Sequence, residues 1–121
     1  MDTQLEIKNA RIKSTHLGFE HGSIFTCTLF LDYGGLSQGF GGYIFDRVIK
    51  KDDKFVRREG AAFGAEFIRR VLEVAGASSW ETLPGKSIRV KAEFTKIHAI
   101  GHYLKDDWLN PEELAKKMRD E

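Results

Sequence analysis

The stretch AAFGAEFIRRVLEVA, residues 61–75, decides how the rest of the chain is read. Phe63, Phe67 and Val71 recur at i, i+4 and i+8, and Ile68, Leu72 and Ala75 widen the same stripe. Glu66 and Arg70 sit four apart on the other side, a spacing that favours an ion pair. Gly76 follows in the position that closes helices. An amphipathic helix must bury its stripe, and the segments on either side supply a sheet.

Downstream, Ile88, Val90, Ala92 and Phe94 alternate with Arg89, Lys91, Glu93 and Thr95, which predicts a half-buried strand over residues 87–95. Residues 96–104 either continue it through a bend or return as its hairpin partner. Upstream, residues 5–15 predict a first strand in which Leu5 and Ile7 alternate with Glu6 and Lys8. A change of phase at Asn9-Ala10 suggests a bulge. Residues 16–23, with Gly18 and Gly22, read as a hairpin connection. Residues 24–31 are apolar or β-branched at nearly every position, which predicts a central strand covered on both faces. Asp32-Tyr33-Gly34-Gly35 then turns the chain into a third strand over residues 38–45. Residues 47–59 are strongly charged and read as an exposed excursion.

Residues 78–83 predict one helical turn with Trp80 inward, and Pro84-Gly85 a turn. Asn110-Pro111-Glu112-Glu113 opens a short terminal helix, with Asn as cap, Pro in the first helical position and acids in the first turn. That helix runs to about Arg119 and is apolar only at Leu114 and Met118. The order predicts a single α+β domain over residues 1–121: an antiparallel sheet of about five strands, one main helix packed on it and a short C-terminal helix.

The 121 residues carry 19 basic and 18 acidic side chains, a formal charge of +1. Nucleic-acid binders are usually far more basic, so stable DNA binding is not expected. The single cysteine, Cys27, lies in an apolar run and reads as a small buried hydrophobe. No stretch approaches the roughly 20 apolar residues of a membrane span. The first residues lack the basic and apolar regions of a secretory leader. A cytoplasmic protein is expected.

Function is sought first in residues 32–43, where Gly34, Gly35, Gly39, Gly41 and Gly42 lie among Tyr33, Phe40 and Tyr43. Glycine weakens a strand, and close approach of a ligand is one reason to accept that cost. The flat rings, with Gln38 and Asp46 as hydrogen-bonding partners, suit a planar ring clamped by stacking. The other reading is a twisted hairpin whose glycines serve geometry alone. The spacing fits neither a P-loop nor a dinucleotide-binding fingerprint. Arg69 and Arg89 could take a phosphate or form part of a solvated charged face. His98 and His102 would stand about 13 Å apart on a strand, too far to share a metal. No metal or cofactor is expected, no serine lies in a nucleophile elbow and no catalytic residue is assigned. The candidate ligand-binding set is Tyr33, Gln38, Phe40, Gly41, Tyr43, Arg69, Arg89, His102 and Tyr103.

Several segments together resemble a group of small phage and prophage proteins. They are Ile7-Lys8-Asn9-Ala10, Leu17-Gly18, Leu31 to Gly35, Gln38 to Tyr43, Phe63-Gly64, Val74-Ala75-Gly76 with Trp80-Glu81, and Lys105-Asp106-Asp107-Trp108. Size and pattern also resemble the Thoeris anti-defence sponges of the first type. That resemblance implies a non-catalytic counter-defence protein of the host cytoplasm. It would bind and sequester a cyclic nucleotide-derived immune signal, as a homo-oligomer with pockets at subunit junctions. Two alternatives stay open: a protein-binding inhibitor of a host defence enzyme, of anti-CRISPR type, and an accessory single-strand nucleic-acid binder.

Overall fold

The computed structural model describes residues 5–120. Residues 1–4, on which the expectation about a leader rests in part, lie outside the described residues. The strands are β1 (Glu6–Glu20), β2 (Ile24–Tyr33), β3 (Leu36–Gly41), β4 (Asp46–Lys51), β5 (Lys54–Gly60), β6 (Ser87–Glu93), β7 (Lys96–His102) and β8 (Trp108–Leu109). Helix α1 spans Ala62–Ala75 and α2 spans Pro111–Asp120, with a single 3-10 turn at Trp80–Thr82. Six strands pair in the order β3-β2-β1-β6-β7-β8, antiparallel at each junction, and β4 and β5 form a separate ribbon. The fold is α+β, as expected: among the described residues the main sheet has six strands, against about five expected, and the ribbon adds two. No helix among the described residues is long and apolar enough to cross a membrane.

The long strand β1 organises the sheet. Its first half pairs with β6 and its second with β2, and the register slips between Ile12 and Ser14. The expected bulge therefore falls a few residues after Asn9-Ala10. Ala10 and Ile12 point into the core, while Leu5 and Ile7 are exposed. The strand then continues through residues 16–20, so the expected hairpin connection shrinks to the turn at His21-Gly22-Ser23. The sheet curls until β3 approaches β7 across the core, and α1 closes the open side against β6, β7, β8 and α2.

Phe67 is the centre of that core. Its ring meets those of Phe40, Tyr43, Phe45 and Phe63 at centroid distances of 5.1–5.9 Å. Gly64 makes the approach feasible, since a β-carbon there would lie 2.6 Å from the Phe45 Cβ. The stripe read from residues 61–75 is thus the buried face of α1.

Other expectations are corrected. Strand β2 is second from the edge and one-sided. Cys27, Leu29 and Leu31 point inward, while Phe30 is exposed on the other face. Strand β3 ends at Gly41, and residues 42–45 leave the ladder, held by Gly42 N–H to the Cys27 carbonyl and Phe45 N–H to the Phe25 carbonyl. The charged residues 47–59 form most of the β4–β5 ribbon, because cross-strand pairs such as Arg47–Glu59 and Arg58–Asp46 replace a second buried face. Phe94 lies beyond the end of β6 in the hairpin turn and is exposed; β7 is the hairpin partner. Glu66 pairs with Arg69 instead of Arg70, which reaches Glu73 and Asp107. The terminal helix starts as read: Asn110 Oδ1 accepts the N–H groups of Glu112 and Glu113.

Candidate functional site

The structure divides the nine candidate residues into four places. Tyr33 and Gln38 lie at one end of the sheet, where the Tyr33 hydroxyl donates to Gln38 Oε1 and the Lys8 ammonium stands 5.9 Å from the Tyr33 ring centre. The Tyr33 ring is buried, and its rim borders a small cavity of about 200 Å³ with Glu6, Lys8, Leu36, Glu93 and Phe94.

Phe40, Gly41 and Tyr43 belong to the core. Phe40 is 2 % exposed and stacks on Phe67, with the ring planes 18° apart. Tyr43 is half-buried against Phe67, and its carbonyl accepts the Thr26 hydroxyl. Burial is the main reason its phenol titrates above the usual value of 10. Gly41 has φ +136°, and a β-carbon there would lie 2.3 Å from the Cys27 carbonyl oxygen. The close approach that the glycines permit at this point is to strand β2. The expectation that Phe40, Gly41 and Tyr43 form a clamp for a planar ligand is therefore corrected within this chain: the faces of Phe40 are covered by protein.

Arg69 stands on the exposed side of α1 with Glu66 and Glu73 at 3.3 and 3.2 Å. It borders a cleft of about 470 Å³ between α1 and α2, where Glu66, Glu73, Asp107 and Glu113 outnumber Arg69, Arg70 and Lys117. That balance disfavours a phosphate.

Arg89, His102 and Tyr103 come together where β7 leaves the sheet. Arg89 Nε donates to the His102 carbonyl at 2.8 Å and Nη2 to the Lys105 carbonyl at 2.7 Å. His102 Nδ1 accepts the N–H groups of Leu104 and Lys105, both at 3.0 Å, which leaves the proton of a neutral ring on Nε2. Tyr103 is exposed at the tip. The loop is also clamped from α1: Arg70 pairs with Asp107 at 2.6 Å and donates to the Trp108 carbonyl. The Arg70 hydrogen bond is the main cause holding the Asp107 carboxyl below its usual value, against a smaller desolvation effect.

The residue this arrangement presents is Trp108, which was outside the candidate set. Arg89, Gly101 and Trp108 are neighbours across three strands on the face of the sheet away from α1. The indole lies over Gly101, where a β-carbon would come within 2.5 Å of the ring, and its N–H donates to Asp106. The Lys91 ammonium stands 4.3 Å from the indole centre and the Arg89 guanidinium carbon 4.9 Å. Among the described residues, Arg89, Lys91 and Lys105 have no carboxylate within ion-pair distance. The result is an aromatic platform with Arg89 and Lys91 over its ring and the Asp106 carboxylate at its N–H edge. Arg89, His102 and Tyr103 of this surface are in the candidate set, and Trp108 enters the sequence reading only within the segment Lys105-Asp106-Asp107-Trp108.

Among the described residues, no group of three or more histidine, cysteine or acidic side chains is placed to hold a metal. No protein-family model, curated protein or solved structure matches the chain.

Proposed function

We propose that this chain is a non-catalytic phage counter-defence protein that captures a cyclic nucleotide-derived immune signal in the host cytoplasm and holds it unchanged. Its ligand surface is the Trp108 platform with Arg89, Lys91 and the loop of His102, Tyr103 and Lys105. The observation that carries the reading is the indole laid over Gly101 with two cations over its ring that have no carboxylate within ion-pair distance among the described residues. An aromatic body with unpaired cations suits a planar, negatively charged ligand. The resemblance to the anti-defence sponges supplies the class of ligand and the expectation of a homo-oligomer.

The test is calorimetric titration of the full chain with cyclic ADP-ribose isomers and cyclic oligonucleotides, followed by mass spectrometry of the released ligand. Lys91→Ala leaves the loop's hydrogen bonds intact, and loss of one charge-assisted contact weakens binding about tenfold or more. If no such compound binds, or if it is recovered chemically altered, the reading is wrong. Binding of single-stranded oligonucleotides with steep salt dependence would favour the nucleic-acid alternative.

A further inference from the structure

The ring of His102 faces away from the surface that it helps to build. Gly101, one residue earlier, lies under the Trp108 indole, and His102 alternates to the α1 side of β7. There its Nε2 stands 3.8 Å from where a β-carbon on Gly76, the residue that closes α1, would lie. Its Nδ1 turns back on the loop and accepts the N–H groups two and three residues on, those of Leu104 and Lys105. Asn110 makes the same closure further along the chain: its Oδ1 accepts from Glu112 and Glu113, also two and three residues on, at 3.0 and 3.2 Å. Histidine Nδ1 and asparagine Oδ1 stand the same number of bonds from the backbone, so the ring takes the place of an Asx acceptor.

What this turn holds is Arg89. The carbonyls that take up Arg89, at 2.8 Å from Nε and 2.7 Å from Nη2, belong to His102 and Lys105, the first and last residues of the turn. They fix the guanidinium 4.9 Å from the indole centre. The His102 N–H closes the base of the loop on the Asp107 carbonyl at 2.9 Å.

We propose that His102 is the positioning residue of the Trp108 surface: as an acceptor on the α1 side of β7, it shapes the turn whose carbonyls set Arg89 against the indole on the other side. In what the surface binds, this role rests on the Trp108 reading; in how Arg89 is held, it does not. An amide oxygen accepts whatever the pH. An imidazole that takes a proton on Nδ1 turns a donor towards two donors and releases them. Histidine is the side chain whose charge ordinarily changes between pH 5 and 8. The charged groups on the elements around the ring are Arg89 on β6, Lys105 and Asp107 in the loop, and Arg70 and Glu73 on α1, with Arg70 bridging Asp107 and Glu73 at 2.6 and 3.1 Å. Closure of the turn, and with it the placement of Arg89, therefore weakens as pH falls through that range.

NMR spectra of the isotope-labelled full chain, without ligand, test it in the wild type, His102→Asn and His102→Leu. The signals read are the Leu104 and Lys105 amides and the Arg89 Nε–H. At pH 8 all three are expected to agree between the wild type and His102→Asn and to shift in His102→Leu. Lowered to pH 5, they move together in the wild type and stay in place in His102→Asn. Titrated with cyclic oligonucleotides at pH 8, His102→Leu binds about tenfold more weakly than the wild type, and His102→Asn within about twofold of it. Should His102→Leu misfold, the wild type and His102→Asn carry the same comparison through pH. Amides indifferent to His102→Leu, an Arg89 signal that stays in place when they move, or an acid shift that His102→Asn reproduces each overturns the proposal. Because the spectra need no ligand, signals that contradict this role leave the Trp108 reading standing, and failure of every compound to bind leaves the placement of Arg89 by His102.

Discussion

Phe40→Ala separates the two readings that the glycine-rich segment invites. In the structure Phe40 is 2 % exposed, stacked on Phe67 at 5.9 Å with Tyr43 at 6.3 Å. Truncation removes the ring from a site walled by other rings, which cannot collapse fully into the space. Buried Phe→Ala changes cost about 3–5 kcal/mol. Domains of this size hold about 5–15 kcal/mol in total. At about 3–5 °C per kcal/mol for this chain length, the melting temperature falls by about 10–20 °C. Thermal melts by circular dichroism and urea titrations measure it, with the urea m-value unchanged. Gln38→Ala is the contrast. It deletes one side-chain partner of the Tyr33 hydroxyl, so the loss is about 1–2 kcal/mol. Should Phe40→Ala melt within about 3 °C of the wild type while abolishing ligand capture, the ring is a ligand contact and its assignment to the core is wrong.

Two further outcomes follow from buried or paired titratable groups. Arginine hydrogen bonds hold Asp46, Glu59 and Asp107 below their usual values, so the folded state binds fewer protons than the unfolded chain in acid. The contribution of these carboxylates to stability is therefore level between about pH 5 and 8 and declines as pH falls below about 4; a urea midpoint at pH 3 equal to that at pH 7 would sink this account. Burial pushes the Cys27 thiol up to about 12, so Ellman's reagent at pH 8 should label one thiol per chain in urea and none in the native protein; rapid native labelling would show Cys27 to be accessible.

What could be read from the sequence was whatever is encoded within one element. The α1 stripe, the alternation in β6 and the cap at Asn110 each depend on neighbours within a few residues, and each is found where it was read, save that β6 stops before Phe94. The β4–β5 ribbon escaped because both of its faces are largely exposed. Burial imposes no period-two pattern there, and what remains visible is the charge. Strand β1 was cut short because His16 and Gly18 look like loop residues; they are tolerated on a face that no helix covers. The Trp108 platform escaped for a different reason. Lys91, Gly101 and Trp108 meet only through the register of three strands, and no local spacing contains that register.

The same residue types can serve a core or a site, and free faces and charge balance decide between them. Phe40 and Tyr43 spend their rings on Phe67, and Gly41 spends its missing side chain on the Cys27 carbonyl. Trp108 is half-buried on the face of the sheet away from α1, laid over Gly101 with Lys91 and Arg89 over its ring. The net charge of +1 hides this because the signs are segregated. Glu66, Glu73, Asp107 and Glu113 gather in the cleft between α1 and α2, where they absorb Arg69 and Arg70. Arg89, Lys91 and Lys105 have no carboxylate within ion-pair distance among the described residues, and backbone carbonyls take up the Arg89 hydrogens without cancelling its charge. A small anion approaching the molecule therefore meets net negative charge between α1 and α2 and positive charge where Arg89 and Lys91 stand over the Trp108 ring, although the chain as a whole is nearly neutral.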